Sequence, residues 1–455
     1  MTTMLKADLD LPVTARQDLI DYLARGARPP ERWGVGTEME KLVVDAETGE
    51  AASYPRIETL LRHLAQEGGW RPVYEEGHLI ALLGESSSIT LEPGGQLELS
   101  GRLCPDLHCS HADFSRHIDQ IVGHATTLGL AFLGLGVQPF TPLERIEWLP
   151  KARYRVMGPY MLRTGDLGQA MMKQSAGLQV NLDYADEADC IDKLRLAVVL
   201  APLLYALFAN SPIMEGRPTG FLTTRGEIWS RTDPDRTGLL PQLFMPDAGY
   251  ATYVEYALDV PMYFIFRNGR FLDLTAERFP FRRYLVDGFA GHRATLADWD
   301  LHLSTLFPEA RLRPQIEVRP ADSLPPHLTL AVGALLKGIF YDRSAGEEVW
   351  SLFRLQRPEE RAELWRQSWR LGLKAPVGGR SLREVALDVL GSARRGLQRQ
   401  RLQNQRGLDE AVYLEGIEEI AESGVTLAER LLARWSGSRQ EKVAILLDHC
   451  GFHRN

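Results

Sequence analysis

Four short segments of this chain alternate apolar and polar residues, and their polar positions are mostly Glu, Gln and Asn. The segments are 36–41 (GTEMEK), 95–100 (GQLELS), 178–183 (LQVNLD) and 315–319 (QIEVR). Successive side chains of a β-strand point to opposite faces, so each segment has one apolar face for a core and one polar face. The alternation predicts strands that bury one face and carry acidic and amide side chains on the other.

The polar faces of these strands concentrate negative charge. If the strands are neighbours, five carboxylates lie close together: Glu38, Glu40, Glu92, Glu98 and Glu317. Like charges this close must be neutralised by protons or by bound cations. Oxygen ligands of this kind suit the hard cations Mg²⁺ and Mn²⁺. The pattern alone leaves two alternatives open, a metal-binding face and a face that meets solvent.

Arginines accompany these acidic segments. They are Arg153, Arg225, Arg236 and Arg319, the last standing two residues after Glu317. A guanidinium binds carboxylate or phosphate through two parallel N–H groups. Acidic metal ligands beside phosphate-binding cations are typical of phosphoryl transfer.

The order of predicted elements divides the chain in two. Strands are predicted at 35–45, 89–100, 130–138, 175–184, 261–274 and 313–320, and a short helix is predicted within residues 1–30. Further helices are predicted at 56–67, 106–128, 186–209 and 297–306, and then at 327–340, 346–373, 381–404, 408–423 and 425–435. We therefore expect an α+β catalytic body, residues 1–340, with a helical C-terminal region, residues 341–455, packed on it.

Composition and charge argue against several classes of protein. The net charge of −8 opposes a general affinity for nucleic acid or for an anionic membrane. No window approaches the roughly 18 apolar residues of a membrane span, and the first residues lack a signal- or transit-peptide pattern. Four cysteines are too few for a disulfide scaffold, so free thiols are expected. These features predict a cytoplasmic location.

Longer motifs, in order from about residue 30 to about 435, make the chain similar to a known family. It resembles the plant and proteobacterial type of glutamate–cysteine ligase. The motifs are GTEMEK (36–41), TLEPGGQLELSG (90–101), PKARYRVM (150–157), LQVNLDY (178–184), LFANSPIMEGRPTGFLTTRGEIW (207–229), DPDRTGLLP (233–241), YVEYALDVPMYF (253–264), IEVRPAD (316–322) and GVTLAERLL (424–432).

The resemblance implies a glutamine-synthetase-like curved antiparallel β-sheet flanked by helices, with the active site on its concave face. It implies that ATP phosphorylates the γ-carboxylate of L-glutamate. The amine of L-cysteine then displaces phosphate, which gives γ-glutamylcysteine, the first intermediate of glutathione biosynthesis. Glutathione is a candidate feedback inhibitor, and a monomer or homodimer is expected.

Residue roles follow from the same resemblance. The implied metal ligands, for Mg²⁺ or Mn²⁺, are Glu38, Glu40, Glu92, Glu98, Glu317 and Gln179. The implied catalytic residues are Arg319 and Arg225, and the implied substrate-binding residues are Asn181, Arg225, Trp229 and Tyr154. The implied nucleotide-binding residues are Arg153, Arg236 and Arg319.

Three alternatives stay open at this point. A ligase of the same fold could join glutamate to another amine. A related phosphagen-type kinase would transfer phosphate to a guanidine without forming an amide. A non-catalytic metal or nucleotide sensor would keep the fold without turnover.

Overall fold

The computed structural model of the chain describes residues 9–453, so the first eight residues of the predicted unit 1–340 and the last two of the predicted unit 341–455 lie outside the described residues. The strands are β1 Val35–Asp45, β2 Arg71–Glu75, β3 His78–Leu83, β4 Ser88–Leu91, β5 Leu97–Ser100, β6 Leu130–Leu133, β7 Leu178–Leu182, β8 Ile213–Met214, β9 Arg217–Pro218, β10 Thr237–Gly238, β11 Phe264–Arg267, β12 Arg270–Asp273, β13 Phe307–Pro308, β14 Ala310–Leu312, β15 Ile316–Val318, β16 Pro376–Val377 and β17 Arg380–Ser381.

Helices surround these strands. They are α1 Arg16–Ala24, α2 Tyr54–Gln66, α3 Leu107–Thr127, α4 Ala152–Thr164, α5 Gly168–Gln174, α6 Glu187–Leu207, α7 Thr224–Ser230, α8 Tyr250–Asp259, α9 Phe281–Asp287, α10 Leu296–Leu303, α11 Ala331–Phe340, α12 Arg343–Phe353, α13 Pro358–Leu371, α14 Leu382–Gln400, α15 Glu415–Ser423, α16 Leu427–Arg434 and α17 Arg439–Cys450. Short polar side chains begin several of them. Asp186, for example, accepts a hydrogen bond from Asp189 N at the start of α6.

One antiparallel sheet holds nine of the strands, in the order β14-β15-β7-β1-β5-β4-β3-β2, with β6 pairing with β1. Its apolar side chains, such as Val180 and Ile316, pack in a core that includes helix α6. That helix is buried at every residue from Leu196 to Leu207 because this half of it is apolar on all sides. The α+β class, the antiparallel sheet and the helical C-terminus are confirmed, while the division at residue 340 stays a prediction.

Strand register decides which polar side chains meet. Glu40 on β1 lies opposite Glu98 on β5, and Glu38 lies opposite Gln179 on β7. Glu317 on β15 lies between Asn181 on β7 and Arg311 on β14. Paired residues of neighbouring strands share a face of the sheet, so the predicted acidic face exists.

Several predicted elements have other bounds. The segment 89–100 is a hairpin, β4 and β5, because the Pro-Gly-Gly turn after Glu92 separates two strands. The predicted helix 346–373 is two helices, and the second begins at Pro358, where the missing N–H of proline is tolerated. Among residues 9–453, no helix is long and apolar enough to cross a membrane.

The expectation of free thiols is wrong for two cysteines. Cys104 and Cys109 form a disulfide, with 5.7 Å between their Cα atoms. The chain turns between them because Asp106 caps the start of α3 and accepts a hydrogen bond from Cys109 N. Cys190 and Cys450 are free and buried.

Candidate active site

A cavity of about 660 Å³ opens on the acidic face of the sheet. The predicted site residues that line it are Glu38, Glu40, Glu92, Glu98, Gln179, Arg153, Tyr154, Trp229 and Arg319. Four predicted site residues do not line it: Asn181, Arg225, Arg236 and Glu317. The strands and the turn at Glu92 therefore bring most of the predicted residues to one place, although the roles assigned to them stay predictions.

The carboxylates of this cavity are packed closely. Glu98 accepts hydrogen bonds from Thr90 Oγ1 at 2.9 Å and from Ser100 Oγ at 2.6 Å. Burial, reinforced by the negative charges of Glu92 and Glu98, raises the pKa of Glu40 well above its usual range. Cations are therefore needed if all of these carboxylates are to be ionised together.

The donor chemistry of this face suits a hard cation. Gln179 Nε2 donates to Glu40 at 3.0 Å and Asn181 Nδ2 donates to Glu38 at 3.0 Å. The amide oxygens Oε1 of Gln179 and Oδ1 of Asn181 are buried without a hydrogen-bond donor. Within the described chain, no three or more His, Cys, Asp or Glu side chains already surround a common point. The carboxylates and amide oxygens of this face are therefore of the ligand type that suits Mg²⁺. In this structure their side chains are hydrogen-bonded to one another.

Glu317 contacts two arginines. Its carboxylate accepts hydrogen bonds from Arg311 Nε at 3.0 Å and Nη2 at 2.6 Å, and also from Arg319 Nη1. Burial alone would raise the pKa of Glu317, but the charges of Arg311 and Arg319 hold it well below its usual range. Its assignment as a metal ligand stays a prediction, since in this structure both oxygens are bound by guanidinium groups.

Trp229 stands between two of the predicted arginines. The guanidinium carbon of Arg319 lies 5.3 Å from its ring, and that of Arg225 lies 5.6 Å away. Arg225 donates to the backbone carbonyls of Arg319 and Pro320, both at 3.1 Å. Arg319 therefore presents its charge to the cavity, whereas Arg225 is buried behind it.

A second cationic group lies where α4 begins. Arg153 Nη2 donates to Tyr154 Oη at 3.2 Å, and its guanidinium lies 5.0 Å from the Tyr154 ring. Beside them, Lys151 Nζ donates to Leu91 O at 2.7 Å. Burial lowers the pKa of Lys151 to about 8, which makes its charge sensitive to a bound anion.

Arg236 is not at the cavity. Its side chain is fully buried, and its Nε pairs with Asp233 at 2.7 Å. Its guanidinium also donates to Pro261 O and lies 3.8 Å from the Tyr263 ring. The nucleotide role assigned to Arg236 stays a prediction that this geometry does not favour.

The sequence reasoning missed several cavity residues. Arg311 lies opposite Glu317 because the turn containing Pro314 folds β14 back on β15. Arg313 and Asp300, which form a 2.8 Å ion pair, also line the cavity. Arg311 and Arg313 alternate with Leu312 before Pro314, and this alternation was the available signal in the sequence. The predicted strand began at residue 313, so Arg311 lay two residues before it.

Comparison with known proteins gives a consistent result. The family model for glutamate-cysteine ligase family 2 matches residues 34–448. Among curated proteins, the chain is 42% identical to the chloroplastic glutamate–cysteine ligase of Brassica juncea, over 95% of this chain and 83% of that protein. It is 40% identical to the chloroplastic glutamate–cysteine ligase of Arabidopsis thaliana, over 95% of this chain and 82% of that protein.

A solved structure shares the fold. The crystal structure of glutamate–cysteine ligase from Francisella tularensis in complex with AMP matches with a TM-score of 0.54 and 12% sequence identity. The match covers 92% of this chain and 88% of that chain. At this identity the likeness concerns the fold alone.

The same relatives correct one expectation. The prediction of a cytoplasmic location is contradicted, because the relatives from Brassica juncea and Arabidopsis thaliana are chloroplastic proteins. The composition of the chain could not reveal this, since an ordinary acidic surface is compatible with more than one compartment.

Proposed function

The chain belongs to glutamate-cysteine ligase family 2, a family of enzymes, and we propose that it joins L-glutamate to L-cysteine by an ATP- and Mg²⁺-dependent reaction. The product is γ-glutamylcysteine and the intermediate is γ-glutamyl phosphate. The family and its relatives at about 40% identity support the ligation itself. The AMP in the Francisella tularensis protein supports the use of an adenine nucleotide.

One observation carries the chemical part of this proposal. The cavity brings four carboxylates to the same face as Arg319, whose charge is held in place by Glu317. Phosphoryl transfer between two anions, ATP and a carboxylate, needs bound cations for positive charge and an arginine aimed at the transferring group. A sheet face with both is suited to activating a carboxylate.

In the first half-reaction, an oxygen of the glutamate γ-carboxylate attacks the γ-phosphorus of ATP, and the bond to the bridging oxygen of ADP breaks. Arg319 donates N–H groups to the phosphoryl oxygens as their charge develops. Arg311 keeps Glu317 ionised and so fixes the orientation of Arg319. Glu38, Glu40, Glu92, Glu98 and Gln179 would hold Mg²⁺, whose charge would reduce the repulsion between the two anions.

In the second half-reaction, the cysteine amine attacks the acyl carbon and phosphate leaves with the oxygen it acquired. The amine loses one proton, which passes to solvent or to the departing phosphate. Trp229 borders the cavity beside Arg319 and excludes water from the acyl phosphate. Glutathione carries both γ-glutamyl and cysteinyl groups, so we further propose that it competes with the substrates.

The amine specificity is tested with purified protein, ATP, Mg²⁺ and L-glutamate. Each of several amines is added in turn, and the product mass and ADP are followed together. We expect γ-glutamylcysteine in a one-to-one ratio with ADP and much slower turnover with other amines. Faster turnover with another amine would overturn the cysteine assignment, and ADP release that requires no amine would overturn the ligase reaction.

A further inference from the structure

Asp322 closes the segment 316–322 (IEVRPAD), and its carboxylate lies outside the cavity lining. The side chain is 1% exposed. It accepts hydrogen bonds from Asn210 N at 2.8 Å, Ser211 Oγ at 2.7 Å and Thr223 Oγ1 at 2.9 Å. All three donors are uncharged, and the charge of the nearby Arg225 guanidinium partly offsets the rise that burial causes in the pKa of this carboxylate.

The hydroxyls of Ser211 and Thr223 connect the Asp322 carboxylate to helix α7 through hydrogen bonds. A hydroxyl has a single hydrogen, and both Ser211 and Thr223 give theirs to Asp322. Their lone pairs then face the first turn of α7, where Ser211 Oγ accepts from Arg225 N at 3.2 Å and Thr223 Oγ1 accepts from Gly226 N at 3.3 Å. The first N–H groups of a helix have no partner within the helix, so these contacts fix where α7 starts.

The same strand end holds α7 by a second route. The guanidinium of Arg225 donates to the carbonyls of Arg319 and Pro320, within three residues of Asp322. Helix α7 also carries Trp229, whose ring lies 5.3 Å from the guanidinium of Arg319. Asp322, Arg225 and Trp229 therefore connect the helix to the strand end that presents Arg319 to the cavity.

Gly136 packs against the Asp322 carboxylate so closely that no larger residue would fit. A Cβ atom at Gly136 would lie 2.5 Å from Asp322 Cγ, closer than real side chains approach. The backbone of Gly136 also donates to Asn210 O at 3.0 Å and accepts from Ala176 N at 2.9 Å. The glycine in the apolar segment after β6 is thus explained by close packing against Asp322.

We propose that Asp322 is a positioning residue for the active site, acting through the hydroxyls of Ser211 and Thr223 to fix Arg225 and Trp229 on α7. The proposal rests on the proposed function, because it concerns how that reaction's cavity is held in shape. Asp322 touches no substrate in this account. Its contribution is the position of α7, which carries Trp229 at the cavity and Arg225 behind Arg319.

The test uses Asp322→Asn and Thr223→Val, with Thr223→Ser as the conservative variant. In Asp322→Asn one oxygen becomes an NH₂ group, which cannot accept from the Thr223 hydroxyl. In Thr223→Val the shape is kept and the hydroxyl is lost. We expect kcat to fall about 10- to 100-fold in both, because small misplacements of catalytic groups have effects of this size. Thr223→Ser keeps the hydroxyl and is expected to stay within about twofold of the wild type.

The double variant Asp322→Asn/Thr223→Val distinguishes loss of the hydrogen bond between Thr223 and Asp322 from general destabilisation of the fold. Both changes break the same contact, the hydrogen bond between Thr223 and Asp322. The loss in kcat of the double variant should therefore be close to the larger single loss rather than to the product of the two losses. Glu410→Gln is the matched control. Glu410 is also fully buried and pairs with Lys337 Nζ, but it does not line the cavity. This control should lower thermal stability and leave kcat of the folded protein unchanged.

Each rate is measured at a temperature where circular dichroism shows the variant to be folded. Wild-type kcat and KM in both Asp322→Asn and Thr223→Val would overturn the proposal, as would multiplicative losses in the double variant. If Asp322→Asn does not fold, Thr223→Val and Thr223→Ser decide the outcome alone. A wild-type protein that makes no γ-glutamylcysteine would instead refute the proposed function.

Discussion

Replacing Arg319 by lysine keeps the positive charge and removes the planar guanidinium. Arg319 has 11% of its side chain exposed, donates to Glu317 through Nη1 and lines the cavity. A guanidinium has five N–H donors in a fixed arrangement, so it can hold Glu317 and still aim other donors at a phosphoryl group. The lysine ammonium is a compact charge that cannot span both.

The size of the effect follows from these contacts. Lysine can retain the ion pair with Glu317, so the folded state should lose little stability. The interaction that we expect to be lost is the proposed one between Arg319 and the transferring phosphoryl group. Removing one such preorganised donor costs about 3–4 kcal/mol of transition-state stabilisation, which corresponds to a fall in kcat of about 10²- to 10³-fold.

The assay measures ADP and γ-glutamylcysteine with saturating ATP, glutamate and cysteine, alongside thermal unfolding of each variant. Arg231→Lys is the control, because Arg231 is 47% exposed and pairs with Asp166 and Glu227 at the surface. It should keep wild-type kcat. If Arg319→Lys also keeps kcat within about threefold of the wild type, Arg319 is a structural residue and the reasoning about its fork geometry is refuted.

Three further predictions follow from the same contacts. Glu98→Gln should abolish turnover in a folded protein because it removes a carboxylate that we propose as a ligand of Mg²⁺; near-normal rates with an unchanged Mg²⁺ dependence would contradict this. Chelation of divalent cations should stop ADP release, and Mg²⁺ or Mn²⁺ should restore it; full activity in excess chelator would exclude the metal role. Arg236→Lys should lower the thermal midpoint and leave KM for ATP unchanged, because Arg236 is fully buried against Asp233; an increase in that KM as the main effect would restore its nucleotide role.

The strands that carry the acidic face were predictable because their side chains obey the two-residue period. Glu38 and Glu40 on β1 and Glu98 on β5 belong to runs whose apolar partners face the core. The pairing of Glu40 with Glu98 follows once the strands are antiparallel neighbours. Local periodicity therefore predicted which face is polar, and the family resemblance supplied the chemistry.

Other parts of the site depend on contacts that are distant in the sequence. Helix α4, which begins beside Arg153, was missed because Pro159 interrupts its interior and its apolar residues follow no clear stripe. The hairpin of β2 and β3 was missed because β2 is an exposed edge strand with little apolar alternation. The burial of Arg236 depends on packing against Tyr263, which no local pattern reveals.

The register of β14 against β15 was likewise hidden from the sequence. This register places Arg311 opposite Glu317, a pairing that the sequence did not indicate. The relay from Asp322 is a similar case, since its donors come from residues 210–211 and 223. Sequence reasoning identified the acidic residues of the polar face but missed Arg311, whose pairing with Glu317 depends on the fold.

The most direct test of the central claim follows an oxygen atom. L-Glutamate labelled with ¹⁸O in its γ-carboxylate is incubated with the protein, ATP, Mg²⁺ and L-cysteine, and the released phosphate is analysed by mass spectrometry. Activation through γ-glutamyl phosphate predicts one ¹⁸O atom in the phosphate for each γ-glutamylcysteine formed. Amide formation with unlabelled phosphate would contradict the account, because the carboxylate oxygen would then have left by another route.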